Sequence, residues 1–233
     1  MLVRLNKYLA NQGIAARRKC DEFIESGLVK VNGVVVTQLG TKIESTTDKV
    51  EIDNSVILDK PELVYFLLNK PLGYVCTVTG PETPKVVELF EHIKERVFPV
   101  GRLDKLTTGM LIMTNDGNFS FRMTHPKFEK EKEYVVKVRE KVTKAVEEIL
   151  RKPFYIMGKL TQEAKIHVQG PHVFHVILKE GRNRQIRRMC QRAGLTIEKL
   201  KRVRIGKVML GTLKPGEFRK LNEDELVLLT ETK

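Results

Sequence analysis

The segment Phe98-Pro99-Val100-Gly101-Arg102-Leu103-Asp104-Lys105-Leu106-Thr107-Thr108-Gly109-Met110-Leu111 gathers the residue types best suited to chemistry. An apolar run enters a glycine, then an Arg-x-Asp pair, then a short polar loop closed by a second glycine and another apolar run. The pattern predicts a carboxylate at the end of a strand, with cations beside it in sequence. An aspartate placed there can serve as nucleophile or base. It can equally cap a turn and pair with Arg102, and the segment alone leaves both readings open.

Other chemistries find less support. Neither G-x-x-x-x-G-K-[ST] nor a G-x-G-x-x-G after a strand is present, so neither ATP nor a dinucleotide is expected. Cys20, Cys76 and Cys190 are isolated, and His167, His172 and His175 stand outside any C-x-x-C or H-E-x-x-H frame, so the expected cofactor and metal content is none. An odd number of scattered cysteines also argues against a disulfide framework.

Charge points to the partner. The 233 residues carry 42 Lys plus Arg against 29 Asp plus Glu, a formal charge of +13. Between Lys179 and Lys207 stand eleven basic and two acidic residues, so more than half of the excess lies in one stretch. Such concentration suits a polyanion, although a solvated basic face would also produce it. With 41% hydrophobic and 30% charged residues the composition is that of a soluble globular chain. Apolar runs such as Leu226 to Leu229 are too short to span a bilayer, and the N-terminus has no apolar signal region. The expectations are no membrane, a cytoplasmic location and, by default, a monomer.

These residues need elements to hold them. Leu2, Leu5, Tyr8 and Leu9 recur at helical spacing until Gly13, and Ala15 to Ser26 reads as a second helix with Ala16, Cys20, Phe23 and Ile24 on one face. Val29 to Val31 and Val34 to Val36 flank the hairpin signal Asn32-Gly33, and Lys49 to Ile52 reads as a further strand. The stretch Asp59 to Glu62 reads as a linker, giving domains at 1–60 and 61–233. Beyond it, strands are expected at Tyr65 to Leu68, Tyr74 to Val78, Leu111 to Thr114, Glu133 to Arg139, Glu163 to Val168, Val173 to Leu178 and Arg202 to Leu210. Helices are expected at Pro84 to Glu95, Asn118 to Met123, Lys141 to Arg151, Asn183 to Ala193 and, capped by Asn222, Glu223 to Leu229. The fold class is therefore α+β with a mixed or antiparallel sheet.

Two resemblances then sharpen the reading. R-L-N-K-Y-L-A, A-A-R-R-K and G-L-V-K-V-N-G in residues 2–53 resemble the S4 RNA-binding domain. The resemblance implies a small α-L type module that sets cations on the phosphates of structured RNA. Arg4, Lys7, Arg17, Arg18, Lys19 and Lys30 are its candidate contacts. G-R-L-D-x-x-T-T-G at Gly101 to Gly109 resembles the active-site motif of RsuA-type pseudouridine synthases. Leu68-Asn69-Lys70-Pro71-Leu72-Gly73, Glu131 to Val136 and Glu180 to Met189 match further segments of that family in order. Together the matches span essentially the whole chain and imply an S4 domain followed by a catalytic domain with a mixed, mainly antiparallel sheet.

The resemblance implies Asp104 as catalytic aspartate, Tyr134 as the aromatic stacked on the target base, Arg187 as basic partner of the aspartate and Leu200 as apolar contact. Lys70, Arg102, Lys105, Arg182, Asn183, Arg184, Gln185 and Arg188 are the further candidate RNA contacts. The implied reaction is isomerisation of a uridine in ribosomal RNA, with Glu180 to Cys190 most like members acting on the large subunit (23S, RluF-like). Such a reaction imports no group, consistent with the missing cofactor motifs. Competing readings are a non-catalytic S4-type RNA-binding or ribosome-assembly factor, or the same activity on 16S rRNA or a tRNA. An S4 domain joined to a methyltransferase ranks last, for want of a glycine-rich cofactor loop.

Overall fold

A computed structural model describes residues 1–53, 55–56 and 61–231. The chain divides into two compact units, one comprising Met1–Val64 with Lys94–Arg96 and Asn115–Gly117, the other the remainder. Within the expected linker, Pro61 and Glu62 carry no regular structure, while Asp59 and Lys60 lie outside the described residues.

The first unit contains β1 (Leu2–Arg4), α1 (Leu5–Asn11), α2 (Arg17–Glu25), β2 (Val29–Val31), β3 (Val34–Val35), β4 (Lys42–Glu44), β5 (Val50–Ile52) and β6 (Ser55–Val56). Leu2 departs from expectation. It lies exposed on β1, which pairs antiparallel with β4, and the helix begins only at Leu5. The apolar spacing still marks the core, because Leu5, Leu9, Cys20 and Ile24 bury against Val29, Ile43 and Val50. Asn32 (φ 53°) and Gly33 (φ 82°) form the anticipated hairpin, two left-handed residues whose twist suits the flanking strands.

The second unit is built on a nine-stranded sheet among the described residues. Its elements are β7 (Tyr65–Lys70), β8 (Phe98–Pro99), β9 (Thr108–Thr114), α3 (Gly117–Thr124, all but its first residue in this unit), β10 (Lys132–Val138), α4 (Lys144–Arg151), β11 (Tyr155–Ile156), β12 (Lys159–Leu160), β13 (Lys165–Gly170), β14 (Val173–Leu178), α5 (Gln185–Arg192), β15 (Ile197–Ile205), β16 (Val208–Met209), β17 (Phe218–Lys220) and α6 (Glu223–Thr230). The order is β13-β14-β10-β15-β9-β7-β17, with β8 added to β9 and β16 to β15, while β11 and β12 form a separate hairpin. All these pairings are antiparallel except β15 with β9. The α+β class with a mixed, mostly antiparallel sheet is what the pattern of elements predicted.

Two apolar clusters fasten helices to this sheet. Val136, Phe174, Val176 and Leu178 pack with Leu150 of α4 and Ile186, Met189 and Cys190 of α5. Leu67, Met110 and Ile112 pack with Phe119 and Met123 of α3 and Leu229 of α6. The anticipated cap of α6 is a full capping box, Asn222 accepting from Glu225 N while the Glu225 side chain accepts from Asn222 N.

Other expectations fail where local chemistry interrupts the pattern. Tyr74 to Val78 is not a strand: only Val75 makes a bridge, to Lys85, because Gly80, Pro81 and Pro84 deny it a regular partner. Pro84 to Glu95 holds a 3-10 turn at Val86–Phe90 rather than a helix. The stretch read as one strand from Arg202 to Leu210 is the end of β15, a turn at Gly206 (φ 56°) and β16. The α5 helix starts at Gln185 because Arg184 sits in the left-handed region at φ 50°.

Candidate active site

The parallel junction of β9 and β15 builds the site. Register pairs Lys201 with Thr108 and Arg202 with Gly109. A Cβ at Gly109 would overlap the Arg202 backbone, with its nitrogen 2.7 Å away and its carbonyl oxygen closer still, at a φ of +104°. Only glycine fits there, which gives the second glycine of the loop motif its physical reason. Directly before this junction, Thr107 N donates to Asp104 O at 3.0 Å and closes the turn that carries Asp104.

The loop is held from below. Lys70 is fully buried, and its Nζ donates to the carbonyls of Pro71 (2.9 Å), Lys105 (3.5 Å) and Thr107 (2.9 Å). Burial pushes its pKa below the usual lysine value, while the nearby Cys76 and Asp104 favour the charged form. Gly73 N donates to Lys105 O at 3.0 Å, and Leu103 N to Cys76 Sγ at 3.3 Å. Lys70 is thus corrected from an RNA contact to a support of the loop that carries Asp104, since a residue without solvent exposure cannot reach a phosphate.

Above the loop, Arg187 on α5 places its Nε 3.5 Å from Asp104 Oδ2 and donates through Nη2 to Leu106 O (2.6 Å) and Thr107 Oγ1 (3.2 Å). Its Nε is buried and makes an ion pair rather than a hydrogen bond. The alternative pairing of Asp104 with Arg102 does not form among the described residues; Arg102 is exposed. Across from the carboxylate, β10 and β15 pair Tyr134 with Arg202 and Val136 with Leu200. A recess of about 100 Å³ is lined by Asp104, Tyr134, Arg187 and Leu200 together, and opens beside a cleft of about 860 Å³.

The cleft walls are cationic. Arg102, Lys105, Asn183 and Arg184 line it, and all four are exposed. Arg188 is exposed on α5 and bonds back to Asn183. Gln185 is corrected: it is buried, donating to Glu180 Oε1 at 2.8 Å and accepting from Arg182 N at 3.1 Å, and so ties down the turn that leads into α5. Arg182 lines the cleft, yet its guanidinium is engaged by Glu180 Oε2 (2.8 Å), Lys159 O (2.8 Å) and Leu160 O (2.6 Å). It works as a latch, not as an open cation.

Sequence reasoning missed two residues of the site. Arg202 is buried, donates through Nε to Met110 O at 2.7 Å and lies over the Tyr134 ring with Cζ 5.9 Å from its centroid. The signal was available in the strand period, since Arg202 follows Leu200 by two and faces the same side of β15. Lys132 also lines the cleft, and burial, reinforced by Arg202, lowers its pKa to about 8. Burial likewise pushes the Cys190 thiol up to about 12, which leaves it a packing residue.

In the first unit, Arg4, Arg17, Arg18 and Lys19 are exposed, while Lys7 and Lys30 are half-buried. Arg17, Arg18 and Lys19 fill the first turn of α2, which has no acidic residue there and no side-chain cap. Lys19 pairs with Glu22 at 2.6 Å, and Arg17 reaches Asn6 Oδ1 at 3.4 Å.

Comparison with known proteins identifies the family. Residues 64–192 match the family described as RNA pseudouridylate synthase, and residues 3–50 match the S4 domain. The chain is 38% identical over 227 residues to the dual-specificity RNA pseudouridine synthase RluF of Escherichia coli K12, covering 97% of this chain and 77% of that one. It is 38% identical over 230 residues to the ribosomal large subunit pseudouridine synthase B of Bacillus subtilis, covering 96% and 93%. A crystal structure of a pseudouridylate synthase superposes with a TM-score of 0.71 at 30% identity, covering 97% of this chain and 99% of that one. With an S4 domain preceding a catalytic sheet whose strand junction presents Asp104, the chain belongs to the RNA pseudouridine synthase family.

Proposed function

We propose that the enzyme isomerises a uridine of large-subunit ribosomal RNA, with Asp104 as the catalytic carboxylate. The relatives named above act, by name, on RNA and on the ribosomal large subunit, which supports that substrate class. The observation that carries the site assignment is the recess shared by Asp104, Tyr134, Arg187 and Leu200.

The reaction breaks the bond from N1 of uracil to C1′, turns the base, and joins C5 to C1′; C5 loses its proton and N1 gains one. A base inside a stack is out of reach, so the nucleotide must be everted into the recess. The Tyr134 ring and the Leu200 side chain grip uracil through its faces without directional bonds, which permits the turn. Asp104 addresses the sugar or the base as nucleophile or base. Arg187, with its Nε 3.5 Å from Oδ2, fixes the direction of the carboxylate. Lys70 and Gly109 hold the loop so that the carboxylate does not wander.

Binding and chemistry then fall to different residues. Arg102, Lys105 and Arg184 of the cleft and the exposed Arg188 of α5 serve as phosphate contacts, and the S4 unit adds a second anchor. Three cations in the first turn of α2 oppose the helix dipole, at about 0.3–1 kcal/mol each. That arrangement suits a polyanion. The test is pseudouridine mapping across the stable RNAs of cells with and without the gene: one site lost from large-subunit RNA is expected, and no lost site would overturn the reading.

A further inference from the structure

We propose that the β11–β12 hairpin is an RNA-contacting wedge at the rim of the cleft, taking the unstacked nucleotides that border the everted uridine. The inference rests on the RNA-modifying reading above and adds a surface that neither sequence motif covers. Tyr155 and Leu160 are directly opposed in register, so they share one face of the hairpin, and they are 72% and 52% exposed. Met157, at the turn, is 81% exposed. A two-residue turn there favours Asn or Gly, yet Met157 holds φ 49° ahead of Gly158 at φ 75°. A solvated turn would be better served by a polar residue on both counts.

The hairpin is firmly based. Ile156 and Thr161 are buried, Thr161 N donates to Phe154 O at 2.9 Å, and Phe154 N donates to Thr161 Oγ1 at 3.0 Å. The Arg192 guanidinium covers the Phe154 ring at 4.7 Å. The apolar tip is therefore presented by a fixed base. Arg182 binds the carbonyls of Lys159 and Leu160 while lining the cleft with Asp104, so the hairpin is continuous with the catalytic rim.

Charge selects the occupant. Lys152, Lys159 and Arg184 are exposed nearby, an unsuitable border for a greasy protein groove and a suitable one for a phosphate backbone. Eversion of one base leaves its neighbours unstacked. An aromatic face and an apolar wedge then replace lost stacking, as exposed Tyr and Met side chains can.

The test uses the full chain with an unmodified, protein-free transcript of 23S rRNA, measuring affinity in an Asp104→Asn background and pseudouridine yield in the active protein. Tyr155→Ala with Met157→Ala is expected to weaken affinity about tenfold or more, with an unchanged salt slope and an unchanged thermal melt. Tyr155→Phe is expected to retain affinity, since stacking needs the ring and not the hydroxyl. Lys159→Ala is expected to lower the salt slope by about one. Unchanged affinity in the double variant overturns the proposal. Loss of activity confined to assembled ribosomal particles, with normal affinity for the free transcript, also overturns it, because the occupant would then be protein. Failure of the active protein to make pseudouridine counts against the enzyme reading alone; the affinity measurement still decides the hairpin.

Discussion

The Arg187 guanidinium spans the loop that carries Asp104, its Nε 3.5 Å from Asp104 Oδ2 and its Nη2 2.6 Å from Leu106 O. One side chain of α5 therefore sets both the charge beside the carboxylate and the path of the backbone that carries it. Asp104→Asn keeps the shape and removes the charge. Pseudouridine formation is expected to fall at least about 10⁴-fold. RNA affinity should stay within about threefold of wild type, because no cationic contact is lost. Residual activity near wild type in a chemical mapping assay would dismiss Asp104.

On the role proposed for Asp104, Arg187→Gln should lower kcat by about 10²–10³-fold, since it removes the fixed charge beside that carboxylate. Arg187→Lys should recover only part, as an ammonium cannot hold Leu106 O and face Asp104 together. A change confined to KM would reassign Arg187 to phosphate binding.

Gly109→Ala is expected to destabilise the protein by about 4 kcal/mol or more, because a methyl group there meets the Arg202 backbone at a φ foreign to alanine. Thermal melting checks this directly. An alanine variant with wild-type Tm would mean that β9 and β15 part more easily than their register indicates.

Lys132 gives the site a pH dependence. Its pKa is lowered from 10.5 to about 8, first by burial and then by Arg202. Above pH 8 the cleft loses this charge, so RNA affinity should decline between pH 7 and 9 more steeply in wild type than in Lys132→Arg. Stability follows the opposite sense. The unfolded chain binds more protons than the folded one between pH 8 and 10.5, so stability rises with pH across that window. Lys132→Met should melt above wild type at pH 7, and the difference should close by pH 10.5.

For the first unit, replacing Arg17 and Arg18 by alanine should weaken RNA binding and reduce the salt slope by about one to two. The melting temperature should hold or rise, since two cations leave the positive end of α2. An unchanged slope would take these arginines out of the interface.

Much of this was legible in the residue order. The α+β class, the capping box of α6, the Asn32-Gly33 hairpin and the basic stretch from Lys179 to Lys207 follow from local rules of period, turn and cap. The motif around Asp104 marked the loop that matters. Roles were less legible than locations. Lys70 and Gln185 looked like RNA contacts because lysine and glutamine are normally exposed, and only the packing showed both to be buried supports. The same holds for Arg182, whose hydrogen-bonding groups are taken by partners distant in sequence.

What the amino-acid order determined by itself was most of the local elements and a carboxylate set among cations, because those depend on neighbours along the chain. The tertiary structure decided which cation faces that carboxylate, since Arg187 rather than the adjacent Arg102 reaches Asp104. It also decided that Arg202 lies over the Tyr134 ring, and that an unheralded hairpin raises Tyr155 and Met157 at the rim. The reason is physical. A parallel strand pair joins segments far apart in sequence, and its register, held open to close approach by the missing side chain of Gly109, is settled by packing that no local rule contains.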